Sequence, residues 1–361
     1  MSSPHHYVPM LKGKLGEFHA LNHVPPQDRH RITPFIDVVP PKEGRETRPT
    51  VRKQIQQTVR AWGEGGPAYV DMRMLLEKVG TGPAANAMEL AALTATEHEF
   101  PIIPVTGPFR ERQYQEAVRT AASVLGEGVC FRLTENDFDR PGLGDTLADL
   151  LALFEKHPSR ADVVVDLGYL QSNNERRALL LARDLLDTLP MGGVWRSVTL
   201  AGTAFPINLS EFKGAPIEGR IPRVEWAVWQ RIAETGTSGG WTPQYGDYGI
   251  SHPDIADLPD SAGANVPVAV RYTLHRDTLI LKETPTPKAD AYQRLARRLI
   301  GHPDFMGKDY SWGDERAHDV ATNPARSSDP EEKLGFGNAT MWRSIGTSHH
   351  IAVVTEQLRG R

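Results

Sequence analysis

The chain has 361 residues, 39% of them hydrophobic, and a formal net charge of −4. That length suits one large domain or two ordinary ones with a sizeable core, and the mildly acidic balance argues against a generic binder of polyanions while allowing a local basic pocket. The single cysteine, Cys130, excludes an internal disulfide framework and a cysteine-built zinc cage.

The opening MSSPHHYVPMLK lacks the apolar stretch of a signal peptide. No apolar run approaches the roughly 20 residues needed to span a bilayer, so a cytoplasmic protein without a membrane role is expected. Apolar runs of strand length follow at 7–11, 32–38, 68–71, 102–105, 129–133, 162–167, 197–201 and, most weakly, 241–245. Helix-length periodic stretches lie between most of them, at 51–62, 84–98, 112–125, 143–156, 174–188 and 223–234. The run from Asp162 through three valines to Asp166 is apolar without alternation, as in parallel strands buried on both faces. Eight such units predict an α/β fold, a (β/α)8 TIM-type barrel. A doubly wound open sheet is the alternative. The segment from Leu11 to Glu17 has neither the dinucleotide-binding nor the P-loop glycine spacing that such a sheet would usually carry.

Past the eighth strand the alternation breaks. Residues 268–274 and 278–282 read as an antiparallel hairpin, and 291–300 as a helix. Residues 303–337 are rich in Gly, Pro, Asp and Ser and contain Tyr310-Ser-Trp-Gly-Asp314; they read as a long structured loop and a candidate lid. A closing helix spans about 340–358, opened by Asn338 or Thr340, with Trp342, Ile345 and His349 on one face. The organisation expected is one barrel domain, 1–361, whose C-terminal elaboration (hairpin, helix, loop, helix) occupies about 266–361.

Active sites of such barrels form at the C-terminal ends of the strands. Strand 1 ends at Lys12 with Glu17 close behind, strand 2 near Asp37 and strand 3 at Asp71, followed by Arg73. Strand 5 carries Arg132, strand 6 ends at Asp166, strand 7 in Gly202-Thr203-Ala-Phe-Pro206, and strand 8 is followed by Asp247 and Tyr248. Charged residues are rarely buried without partners, so together they form a candidate constellation. Each has a plainer reading. Asp71 and Asp166 can cap the following loops or pair with Arg73 or Arg132, Asp37 can fix its loop, and Gly202 and Thr203 can simply shape a turn. The adjacent His349 and His350 point about 100° apart on a helix, so at most one faces a pocket directly. Cys130, between Val129 and Phe131, reads as a buried small hydrophobe. Asp37, Asp71 and Asp166 with a histidine are reasonable ligands for a hard divalent ion such as Mg²⁺ or Mn²⁺. No H-x-H or H-E-x-x-H spacing supports zinc.

The chain resembles the "beta protein" family of bacteria and phages over nearly its whole length. The shared motifs are Tyr7-Val-Pro-Met-Leu-Lys12 with Gly16-Glu17 and Ala20-Leu21, Ile32-Thr-Pro-Phe-Ile-Asp37, Val165-Asp166-Leu-Gly168 and Gly202-Thr-Ala-Phe-Pro206. They continue with Gly246-Asp247-Tyr248, Arg271-Tyr272-Thr273, Ser311-Trp-Gly-Asp314 and Trp342-Arg343 with His349-His350. The family's second strand often ends in glutamate where this chain has Asp37, which keeps the charge but shortens the reach. The resemblance implies no established activity. It associates the chain with phage-related and defence-related gene sets, and so with phage–host conflict.

Two functions are weighed. The first is an enzyme acting on a small anionic molecule, phosphate-containing or nucleotide-like, as a hydrolase of the phosphodiesterase type. Lys12, Arg132, Arg271 and Arg343 would hold the anion. Asp37, Asp71 and Asp166 would bind a metal or act as base, and His349 or His350 would be the general acid. Glu17, Gly202, Thr203, Asp247, Tyr248, Trp312, Asp314 and Trp342 complete the expected binding set. The second is a non-enzymatic ligand sensor or protein-partner-binding barrel with Trp312 and Trp342 as anchors. Nucleic acid is disfavoured as a partner by the acidic balance and the lack of a basic stripe with interleaved aromatics.

Overall fold

The computed structural model describes residues 4–214, 216–254, 268–283, 288–322 and 337–360. Seven short strands succeed one another: β1 (Tyr7–Lys12), β2 (Phe35–Asp37), β3 (Ala68–Asp71), β4 (Ile102–Thr106), β5 (Val129–Thr134), β6 (Ala161–Tyr169) and β7 (Ser197–Thr203). A detour through β8 (Ile217–Pro222) follows, then β9 (Gln244–Asp247), β10 (Val268–Thr273) and β11 (Asp277–Glu283). The first seven and β9 pair in parallel and close into an eight-stranded barrel, with β9 between β7 and β1. This is the (β/α)8 architecture read from the apolar runs. The last barrel strand lies three residues later than the run at 241–245 suggests, because Trp241 and Pro243 serve the approach. Trp241 bonds back to Thr237, and the Pro243 carbonyl accepts Trp229 Nε1 at 2.9 Å.

By chain contacts the protein divides into two compact units. The first comprises 1–14, 25–203 and 224–248 and contains the barrel. Its lumen is filled by Val8, Met10, Phe35, Tyr69, Ile103, Val105, Cys130, Val164, Ala201 and Tyr248. Cys130 is fully buried, and burial pushes its thiol pKa well up, as expected of a packing residue. Side chains alternate across a strand, so the inward positions continue from Met10 to Lys12, Phe35 to Asp37, Tyr69 to Asp71, Cys130 to Arg132 and Val164 to Asp166. The register agrees: Lys12 lies beside Asp37, and Asp37 beside Asp71. The apolar filling thus gives way to a charged layer where the strands end. Toward the strand starts the polar group is Asp162, bonded by Arg196 and, at 2.7 Å, by Ser197 Oγ. Outside the barrel, Trp226 and Trp229 of the helix Val224–Thr235 stack on each other and meet Tyr245 edge-on. Each fully buried large side chain contributes about 1.5–3 kcal/mol.

The second unit comprises 15–24, 204–223 and 249–361. Strands β10 and β11 form the expected hairpin, closed by Leu274 N donating to Asp277 O at 2.7 Å. Strand β8 pairs antiparallel with β11 and makes the sheet three-stranded. Its sequence, Ile-Glu-Gly-Arg-Ile-Pro, is too polar to stand out, and only Ile221 is buried. That is how edge strands read. The loop expected over 303–337 contains a helix, Trp312–Thr322, while 323–336 lie outside the described residues. The long helix Ala339–Arg359 is capped by Asn338, whose side chain accepts from Met341 N at 3.0 Å. It is buried at Trp342 and through nearly every residue from Ser344 to Val354. Small residues permit that: a Cβ on Gly313 would stand 2.2 Å from the Ile345 carbonyl oxygen. Among the described residues no helix is long and apolar enough to cross a membrane.

Candidate functional site

At the centre of the charged layer stands Arg132. Its Nε and Nη2 donate to Asp166 Oδ2 at 2.9 and 2.8 Å. Its Nη1 donates to Asp37 Oδ1 at 2.7 Å and to Asp71 Oδ2 at 2.9 Å. Nη2 also reaches the Tyr248 hydroxyl at 2.7 Å, which donates onward to Asp166 Oδ2 at 2.6 Å. The Phe35 ring lies 5.3 Å from the guanidinium carbon. One guanidinium therefore ties together β2, β3, β5, β6 and the residue just past β9. Burial alone would lower the pKa of Arg132, but Asp37, Tyr248, Asp166 and Asp71 raise it well above the ordinary value.

Asp71 has a second cation. Arg110 grips it with both Nη atoms, at 2.5 Å to Oδ1 and 2.9 Å to Oδ2, and the Arg73 amide donates to Oδ1 at 3.0 Å. Burial pushes the Asp71 carboxyl up, yet Arg110 and then Arg132 overcome it and hold the pKa at about 2. Burial likewise pushes the Tyr248 hydroxyl well up, with Arg132 opposing. Asp166 uses its other oxygen to accept Gly168 N at 2.9 Å, and Gly168 sits at φ +61°, where a side chain would be strained. Both oxygens of Asp71 and of Asp166 are thus engaged. Asp37 differs: it accepts Arg132 through Oδ1, and among the described residues no donor reaches its Oδ2. Lys12 is buried at the register position beside it. The Arg73 pKa is lowered by burial and by Arg132 but raised overall through Asp37, Tyr248 and Glu77. Arg73 also pairs with Glu77 at 2.8 Å.

The three aspartates expected to share Mg²⁺ or Mn²⁺ are arranged differently. One oxygen of each converges on the Arg132 guanidinium. Among the described residues no group of three or more His, Cys, Asp or Glu side chains is placed to hold a metal ion. The plainer readings of Asp71 and Asp166, as loop caps and arginine partners, describe their contacts well. Asp247 is also apart from this layer. It alternates onto the outer face of β9 and accepts the Tyr7 hydroxyl at 2.7 Å and the Tyr245 hydroxyl at 2.8 Å. Gly202 and Thr203 lie within β7, not in a ligand-cradling turn, and the Thr203 carbonyl accepts Leu170 N at 2.7 Å.

The remaining expected residues belong to the second unit. His349 is wholly buried, with Nδ1 2.8 Å from Asp314 Oδ2, Nε2 2.8 Å from the Thr273 carbonyl, and Tyr272 stacked at 3.7 Å. Asp314 also accepts the Tyr272 hydroxyl at 2.8 Å and Ser311 Oγ at 2.5 Å. With both ring nitrogens facing oxygens, His349 latches helix to hairpin and has no nitrogen left for proton transfer to a ligand. His350 is buried against Thr273 Oγ1 at 2.9 Å. Trp342 stacks on Tyr292 inside the core and Trp312 lies flat on His23 at 4.0 Å, so both aromatics expected as anchors are packed within the unit. Arg271, Arg343 and Glu17 form a separate group: Arg343 Nη1 stands 3.6 Å from Glu17 Oε1.

Sequence reasoning missed Arg110. It follows β4 in Gly107-Pro-Phe-Arg110, four residues beyond the strand, and no periodicity marks it. The usable signal is that β4 ends at Thr106 with no charged residue at or next to its end, unlike β1, β2 and β3.

The family model described as Beta protein matches residues 7–356, and the chain belongs to that family. Comparison with curated proteins finds no match.

Proposed function

We propose that this member of the Beta protein family is an enzyme that hydrolyses a small phosphate-containing molecule, a phosphoester or nucleotide, at the mouth of its barrel. The observation that carries the reading is Asp37. Among the described residues it is the one aspartate of the buried charged layer with an oxygen that no donor occupies, and it is flanked by Lys12 and, electrostatically, by Arg73. Two cations beside a carboxylate suit an anionic substrate next to a general base. In the step we envisage, a water oxygen attacks phosphorus and passes its proton to Asp37 Oδ2. The phosphorus–oxygen bond to the leaving group breaks, and Lys12 and Arg73 offset the charge that develops. Arg132, Arg110 and Tyr248 act through Asp37, Asp71 and Asp166 as positioning residues. No metal enters this scheme, because Arg132 engages one oxygen of each of the three aspartates.

A second reading, a non-enzymatic ligand sensor of phage–host conflict, draws on a specific observation: Asp71 and Asp166 are saturated, as in a rigid recognition surface. One experiment separates the two. Thermal unfolding is followed against nucleotides and sugar phosphates, and turnover is measured for each ligand that raises the midpoint. Saturation at about 100 times Kd adds about 2.7 kcal/mol to the native state. The enzyme reading expects Lys12→Met to lose the shift and Asp37→Asn to keep binding but lose turnover. Binding without turnover in the wild type would move the case to the sensor. A shift unchanged in Lys12→Met would sink both readings of this layer.

A further inference from the structure

The second unit contains two arginines whose charges are only partly met. Arg271, on β10, donates through Nη1 to the Ile250 carbonyl at 2.9 Å. Arg343, on the helix Ala339–Arg359, donates through Nη1 to Ser251 Oγ at 2.9 Å. The two guanidinium groups are therefore anchored on consecutive residues of one short segment. The Phe205 ring lies 4.6 Å from the Arg271 guanidinium carbon. Packing holds this geometry closely: a Cβ on Gly346 would meet the Arg271 carbonyl oxygen at 2.8 Å and Ile250 Cδ1 at 2.7 Å.

Among the described residues the charges at this place do not balance. Glu17, 3.6 Å from Arg343, is the carboxylate that acts on the pair. Burial and then the charge of Arg343 lower the Arg271 pKa to about 9, with Glu17 opposing. Two like charges in a half-buried place cost free energy that a further anion would recover. Beyond their Nη1 bonds, both guanidinium groups retain N–H donors with no partner among the described residues. The Arg343 side chain is 24% exposed, so solvent reaches it. A carboxylate has two oxygens and suits a single guanidinium fork. A phosphoryl group has three oxygens and up to two charges, and so suits two forks and the charge excess.

We propose that Arg271 and Arg343 form a second anion site that takes the terminal phosphoryl group of a phosphate monoester. The site lies wholly within the second unit and does not use Asp37 or Lys12, so it can hold or fail independently of the barrel-mouth reading.

The test is calorimetric titration of the full chain at low salt with inorganic phosphate and phenyl phosphate, using acetate as a control. Arg271→Lys and Arg343→Lys retain charge but lose the fork, and each should weaken one binding component at least tenfold. Glu17→Gln removes the competing carboxylate and should strengthen that component severalfold. The same component should persist in Lys12→Met. Near-UV circular dichroism establishes that each variant is folded; Arg343→Lys, being partly exposed, is the decisive one if Arg271→Lys is not. The proposal is overturned if phosphate binding is unchanged in folded Arg343→Lys, or is lost only in Lys12→Met. It is equally overturned if acetate binds as tightly as phosphate, or if the wild type binds no phosphate at millimolar concentration.

Discussion

Replacing Arg132 by methionine keeps much of the side-chain volume and strands the charges around it. The guanidinium donates to Asp37, Asp71, Asp166 and Tyr248. Charge-assisted bonds are worth about 1.5–3 kcal/mol each, but bonds sharing one group do not add. Removing one partner of a buried ion pair costs about 3–5 kcal/mol, and we expect about 4 kcal/mol at pH 7. For a chain of 361 residues that corresponds to a fall in midpoint of about 5 °C. Asp71 keeps Arg110, so the loss falls mainly on Asp37 and Asp166. Adding Asp166→Asn to Arg132→Met removes one of the stranded charges and should recover about 1–2 kcal/mol. Urea unfolding measures both differences. Equal stability of Arg132→Met and the wild type, or no recovery in the double variant, would refute the claim that Arg132 neutralises the layer.

Burial lowers the His6 pKa to about 4, with Asp162 opposing and His30 adding. The folded value lies below the unfolded 6.5, so stability is full above pH 6.5 and declines as pH falls toward 4; for this half-buried ring we expect about 2 kcal/mol, and His6→Gln should flatten that window in a pH series of urea melts. Asp71, held at about 2 against an ordinary 3.8, adds a separate loss between pH 3.8 and 2. Asp247→Asn leaves the Tyr7 and Tyr245 hydroxyls sharing one oxygen and should cost about 1–2 kcal/mol, with ligand affinity at the barrel mouth unchanged by titration. Gly313→Ala drives a methyl into the Ile345 carbonyl and should cost about 1–3 kcal/mol, with near-UV dichroism lost before far-UV.

The barrel was legible because its first seven strands fall on apolar runs, and period-two alternation carries Lys12, Asp37, Asp71, Arg132 and Asp166 inward with Met10, Phe35, Tyr69, Cys130 and Val164. The same rule, applied to β9, places Tyr248 inside and Asp247 outside. Listing residues by nearness to a strand end ignores that distinction and groups the two. The histidine pair drew notice for its chemistry, but a histidine facing two oxygens in a core is held in place by them, and its partners Asp314 and Thr273 lie 35 and 76 residues away. Arg110 and β8 escaped for other reasons. One acts from a loop, where spacing carries little information, and the other is a polar edge strand.

Putting a guanidinium at the centre of the layer changes what the aspartates can do. Four carboxylate oxygens on Asp71 and Asp166 accept donors, so Arg132, Arg110 and the Gly168 amide fix these residues in place. A carboxylate committed in this way is a poor base and a poor metal ligand, because either role would first require breaking a buried charge-assisted bond. Asp37 shares the same anchor through one oxygen only. It is therefore held at a defined position, and among the described residues no donor reaches its other oxygen. In the reading we propose, Asp37 is the reacting group and its neighbours position it.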